Sequence, residues 1–143
     1  MKKIIFIMFA FLLFINCSKD ENRRNNPFIP NYSFSIEINT TLPLYSNLQF
    51  PSNAVMVYQQ GAGASNAVIV FNTGSGYIAF DASCPNQSLG SCPIMEINGI
   101  KAICTCSNIE YNLFNGLPIN GGGEYSMKQY AVQVNGSILR IYN

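Results

Sequence analysis

The sequence contains no histidine. That absence removes whole classes of chemistry. A Ser-His-Asp triad or a Cys-His nucleophile pair has no base. A zinc site has no imidazole ligand, and no side chain can act as an imidazole pH switch. Charge is also scarce: only 10% of residues carry it, eight basic against seven acidic. Loss of Lys2 and Lys3 with an N-terminal leader would leave six basic residues. No field of one sign is present to recruit nucleic acid or an anionic membrane face. Glycine runs occur at Gly74-Ser75-Gly76 and Gly121-Gly122-Gly123. Neither has the strand–loop–helix context or the lysine of a phosphate loop, so both read as turns. The acids Asp81, Glu96, Glu110 and Glu124 form no spaced pair and read as solvated surface. No catalytic residue is assigned.

What is present begins at the first residue. Met1-Lys2-Lys3 precedes an apolar run from Ile4 to Ile15, followed by Asn16-Cys17. A short basic start and a short greasy segment are the n- and h-regions of a secretory signal. Twelve helical residues span about 18 Å at about 1.5 Å each. That falls short of a hydrocarbon core of about 30 Å, so the segment is not expected to span. Phe14-Ile15-Asn16-Cys17 resembles a bacterial lipobox, which implies cleavage after Asn16 and a diacylglyceryl group on Cys17. Each buried acyl methylene contributes about 0.8 kcal/mol, and two or more chains hold stably. Ser18-Lys19-Asp20-Glu21 resembles the export tag of surface lipoproteins of some Gram-negative bacteria, and equally an ordinary charge run. The expected location is the outer membrane or cell surface, with the lipid as the membrane contact.

Residues 17–32 are polar and carry two prolines, and they read as a tether. One folded domain is expected over 33–143. Phe34, Ile36 and Ile38 alternate with Ser35, Glu37 and Asn39, the period of a half-buried strand. Ala54–Tyr58, Ala67–Phe71 and Tyr77–Phe80 are further apolar, β-branched or aromatic runs. Asn98-Gly99 and Asn135-Gly136 each sit between two such runs and predict type I′ hairpins. No stretch after residue 30 has a helical period. The expected class is all-β, an antiparallel sandwich or small barrel.

Four cysteines remain besides Cys17: Cys84, Cys92, Cys104 and Cys106. An even set in an exported chain suggests two disulfides, with three pairings open. Cys104 and Cys106 are poorly placed to join each other, because neighbours one residue apart in a strand sit awkwardly for closure.

The boxes Cys84-Pro85-Asn86, with Cys92 beyond, and Cys104-Thr105-Cys106-Ser107-Asn108-Ile109-Glu110-Tyr111 resemble those of the Rieske [2Fe-2S] domain family. The resemblance runs from Val68 to Asn143, including Gly116 and the closing Tyr130, Val132, Gly136, Leu139 and Ile141. It implies a Rieske-like β fold with two Cys-bearing loops. A Rieske centre holds one iron by two Cys and the other by two His. The matching Cys are Cys84 and Cys104, but Asn86 and Ser107 stand at the His positions. A carboxamide and a hydroxyl are poor iron ligands beside imidazole. The resemblance therefore implies a Cys92–Cys106 disulfide, worth roughly 3 kcal/mol in the chain-entropy model. It also implies proximity, and in an oxidising compartment a second disulfide, for Cys84 and Cys104. The leading expectation is a tethered Rieske-like domain without its cluster and without another cofactor, in a binding or structural role toward a partner of unknown kind. The alternatives are an electron carrier whose [2Fe-2S] cluster uses non-His ligands or all four Cys, and a redox-active Cys84–Cys104 pair. The last needs a cation beside the thiolates, and Lys101 is the only one near the boxes in sequence.

Overall fold

The computed structural model describes residues 26–119 and 121–143. Nine strands occur among them: β1 (Ser35–Asn39), β2 (Ala54–Tyr58), β3 (Ala67–Asn72), β4 (Tyr77–Asp81), β5 (Glu96–Asn98), β6 (Lys101–Cys104), β7 (Ile109–Asn112), β8 (Gln129–Asn135) and β9 (Ile138–Tyr142). A six-stranded sheet runs β1-β9-β8-β4-β3-β2, and a three-stranded sheet runs β5-β6-β7. Every pairing is antiparallel. The all-β expectation holds.

The period-2 pattern of β1 becomes one buried face. Ile36 and Ile38 are buried, while Ser35 and Glu37 face water. β3 differs because both of its faces are covered, so its apolar run is continuous. Ala67, Ile69 and Phe71 pack into a core shared with Phe80, Met95, Tyr111 and Leu113 of the Cys-bearing half. Val68 and Val70 point the other way, onto Ile36, Leu48, Leu139 and Ile141. Full burial contributes about 1.5–3 kcal/mol for each such large side chain. β3 is thus the wall between the two cores.

Three local features differ from the sequence reading. Pro43–Gln49 forms a 3-10 helix with Pro at its start and Leu48 buried beneath it. Asn72 fixes it by donating from Nδ2 to the Leu48 carbonyl at 2.8 Å. Seven residues are too few to show a helical period. Both hairpins also turn one residue later than expected. Asn98 pairs with Lys101 and Asn135 with Ile138, which leaves Gly99-Ile100 and Gly136-Ser137 as the loops. Gly99 and Gly136 have φ of 60° and 59°, while the residues that follow them are not left-handed. A positive φ at the first central residue alone is the sign of type II′, where Gly takes that position. Finally, part of the expected tether is packed. Asn26 and Ile29 are buried. Asn26 Nδ2 donates to the Pro85 carbonyl at 2.6 Å, and Lys128 Nζ donates to the Pro30 carbonyl at 3.0 Å. The expected signal peptide, residues 1–16, and residues 17–25 lie outside the described residues. Among the described residues, no helix is long and apolar enough to cross a membrane.

Candidate functional site: two cysteine loops under one sulfur cluster

β4 ends at Asp81, and the chain then turns into the first Cys loop, from Ala82 to Met95. β6 delivers Cys104 at its last residue, and the short turn before β7 carries Cys106. The two sheets therefore hold the two loops face to face. The structure brings together Cys84 with Cys104 and Cys92 with Cys106, each pair as a disulfide. The two bonds lie side by side. Cys84 Sγ is 3.3 Å from Cys92 Sγ, Cys92 Sγ is 3.6 Å from Cys104 Sγ, and Cys104 Sγ is 3.7 Å from Cys106 Sγ. All four sulfurs lie within 4.8 Å of one another. Cys84 and Cys104 are buried, Cys92 is half-buried and Cys106 is exposed. A cavity of about 370 Å³ opens beside the first loop, where Ser83, Cys84, Leu89, Cys92 and Pro93 line it.

Asn86 uses its whole amide within the protein. Nδ2 donates to Tyr111 Oη at 2.8 Å and to the Tyr125 carbonyl at 2.9 Å, and Oδ1 accepts from the Tyr125 N–H at 2.9 Å. Asn86 so clamps the first Cys loop to the segment between β7 and β8. The backbone there must come close. A Cβ on Gly123 would lie 2.6 Å from Asn86 Nδ2. Burial holds the Tyr111 phenol above its ordinary pKa, and the hydrogen bond from Asn86 acts the opposite way. Ser107 differs: its Oγ is buried with no hydrogen-bond partner, and Ser83 Oγ shares that condition. Lys101, the one cation near the boxes in sequence, is paired with Glu110 at 2.8 Å. Cys17 lies outside the described residues.

Asp81 is the residue that sequence reasoning missed. Read as solvated, it is fully buried. Oδ1 accepts from the Ser83 N–H at 2.7 Å, and Oδ2 accepts from the Ala64 N–H at 2.6 Å and from Tyr130 Oη at 2.7 Å. Burial and the Asp81 charge push the Tyr130 phenol far above its ordinary pKa. Asp81 thereby ties the entry of the first Cys loop to the β2–β3 loop and to β8. One signal was legible. An Asp bonding the N–H two residues on is an Asx-turn, and it stands at the strand end where such a turn belongs.

No protein-family model matches the sequence, and no curated protein matches it. Solved structures do match in fold. One is a chain from the complex of reduced oxygenase and oxidized ferredoxin in carbazole 1,9a-dioxygenase, at 17% identity and TM-score 0.51, covering 76% of this chain and 92% of that one. Another is the terminal oxygenase of carbazole 1,9a-dioxygenase from Novosphingobium sp. KA1, at 13% identity and TM-score 0.51, covering 84% of this chain and 32% of that one. The fold is Rieske-like: curled antiparallel sheets that present two Cys-bearing loops.

Proposed function

We propose that this chain is an exported lipoprotein whose Rieske-like domain has given up its [2Fe-2S] cluster for two disulfides and serves in binding at the cell envelope. The observation that carries the reading is the Asn86 clamp. An iron ligand must turn a donor atom to the metal, whereas this amide turns its oxygen to the Tyr125 N–H and its NH2, a donor of hydrogen only, to Tyr111 Oη and the Tyr125 carbonyl. The hydroxyl of Ser107 is a poor iron ligand, and the two cysteines at the metal positions are joined to each other. The residues present do not fit a two-Cys, two-His centre, and no electron-transfer step is derived through one.

The support for the anchor is the lipobox-like Phe14-Ile15-Asn16-Cys17; the reading takes the domain to the outer membrane or the cell surface, with the residues after Cys17 as the lead into it. It also accounts for the fifth cysteine. Without acylation, Cys17 would be an odd thiol in an oxidising compartment. The partner we assign is a protein, by analogy with the ferredoxin–oxygenase complex among the solved relatives. Mass spectrometry of the intact, non-reduced protein from membranes tests the anchor, the disulfides and the loss of the cluster together. The expected result is a lipidated mature chain with two disulfides, no iron and no free thiol. Cys17→Ser should abolish lipidation and release the protein from the membrane fraction. A coloured protein with a Rieske-type electron paramagnetic resonance signal would overturn the reading.

A further inference from the structure

We propose that the four cysteines form one sulfur site with two states: two disulfides when oxidised and, when reduced, a four-thiolate site for a single soft divalent cation of the zinc class. The inference concerns the reduced chain and does not depend on the lipid anchor.

The geometry comes first. Zinc–thiolate bonds of about 2.3 Å set the sulfurs of a tetrahedral site about 3.8 Å apart. Three of the contacts between the two disulfides are already 3.3, 3.6 and 3.7 Å. No pair among the four exceeds 4.8 Å. Opening the two bonds lets the bonded sulfurs move apart toward the same spacing. One ion suits this compact set. A two-iron cluster divides its thiolates between two metals and needs them further apart. Four Cys with no open position is the ligand pattern of a closed structural site rather than a catalytic one.

The second observation is independent of the sulfurs. Among the described residues, only two buried side-chain oxygens or nitrogens lack a hydrogen-bond partner, Ser83 Oγ and Ser107 Oγ. Each is the immediate neighbour of a site cysteine, Ser83 of Cys84 and Ser107 of Cys106. In the disulfide form neither hydroxyl has a hydrogen-bond partner, sulfur included. Thiolates on a cation are strong acceptors, and metal ligands are characteristically supported by hydrogen bonds of this kind.

The balance is simple. Each disulfide takes two electrons from the reductant and becomes two thiols: a phosphine is oxidised to its oxide, with water supplying the oxygen and both protons, or a dithiol closes to its own disulfide and supplies the two protons. Binding one divalent ion forms four metal–sulfur bonds and releases four protons to the buffer, as metal binding to thiols requires.

The test uses the full chain carrying Cys17→Ser, in detergent, so that only the four site cysteines remain. It is reduced without oxygen by tris(2-carboxyethyl)phosphine and titrated with Co(II), then Zn(II). The expected result is one ion per chain. The visible bands should be those of tetrahedral Co(II), with sulfur-to-cobalt charge transfer of four-thiolate intensity, and zinc should bleach them. Cys106→Ser should lower affinity by more than the roughly tenfold to hundredfold that loss of a supporting hydrogen bond costs a metal site. Urea should abolish the signal, because a folded site is required. Absence of the tetrahedral bands overturns the inference, whether the reduced chain stays folded or not. So does binding by two thiolates only, indifference to Cys106→Ser, or an unchanged signal in urea. Reconstitution with iron and sulfide to two irons per chain would overturn it in favour of a cluster. The oxidised protein's iron content, which tests the proposed function, is a separate measurement, so the two can fail apart.

Discussion

Asn86 joins three groups that would otherwise lose partners inside the fold. Asn86→Ala strands the Tyr125 N–H and carbonyl and takes the donor from Tyr111 Oη. Leaving a buried polar group unpaired costs about 1–3 kcal/mol. We expect a loss in that range, read as a fall in Tm of about 4–8 °C per kcal/mol for a domain of this size. Asn86→Asp keeps an acceptor for the Tyr125 N–H but loses the donation to its carbonyl, so it should melt between the two. The Tyr111 phenol gives a second readout. The bond from Asn86 opposes the upward push of burial, so its removal should move Tyr111 titration still higher. Spectrophotometric titration follows this directly, and a variant with wild-type melting and titration would show the clamp to be idle. The sequence could not announce this clamp. In the sequence Asn86 stands out only as the occupant of a His-ligand position, and its partners lie 25 and 39 positions away. Asp81 was hidden for the related reason that a carboxylate is normally solvated. It is buried here because three donors converge on it, Ser83 from two residues on and Ala64 and Tyr130 from other segments.

At the scale of elements, legibility followed burial on one face. The alternation in Phe34, Ile36 and Ile38 exposed β1, because the water-facing residues are polar. The run from Ala67 to Phe71 was legible as a strand but not as a wall between two cores, since periodicity says nothing about which elements cover each face. The 3-10 helix escaped because it is too short to show a period, and the one-residue shift of both hairpins because it turns on single backbone angles. Those angles also rank two glycines. Gly136 has φ of 59° and open space where a Cβ would go. Gly136→Ala should therefore cost only the left-handed penalty, about 1–2 kcal/mol. Gly116 has φ of 71°, and its Cβ would lie 2.7 Å from Phe80 Cε1. Gly116→Ala adds overpacking of about 1–3 kcal/mol to the same penalty. Urea unfolding of the two variants should place Gly116→Ala well below Gly136→Ala, and equal midpoints would refute the close packing of this turn on β4.

For the described residues as a whole, the stretch from Asn26 to Pro30 packs with the rest of the domain. Ile29 is 2% exposed. Ile29→Ala should cost about 2–5 kcal/mol, as for other buried large-to-small changes, and a tether without packing would cost nothing. The same domain contains the group that sets alkaline stability. Tyr130 packs its ring edge-on against Phe34 and donates its hydroxyl to buried Asp81. Its pKa is raised, by burial first and then by the Asp81 charge and hydrogen bond. The unfolded chain releases this proton near the ordinary value of 10.0, while the fold retains it. Stability rises with pH where the unfolded state binds more protons, and it falls in the opposite case. Tyr130's contribution is therefore fully present below about pH 10 and is lost as pH rises above that value. Tyr111 acts in the same direction. Lys128 acts against them, because burial lowers its pKa and the fold gives up that proton first. Three phenols shift upward, Tyr130 strongly and Tyr111 and Tyr125 with it, against one amine shifted downward, so the urea midpoint should hold between pH 7 and pH 9 and fall steeply above about pH 10. Tyr130→Phe keeps the ring and removes both the bond and the titration. It should be less stable at pH 7 by about 1.5–3 kcal/mol, the worth of a hydrogen bond to a charged group. Its alkaline fall should be shallower than that of the wild type, and a variant that keeps the wild-type slope would locate the alkaline sensitivity elsewhere in the fold.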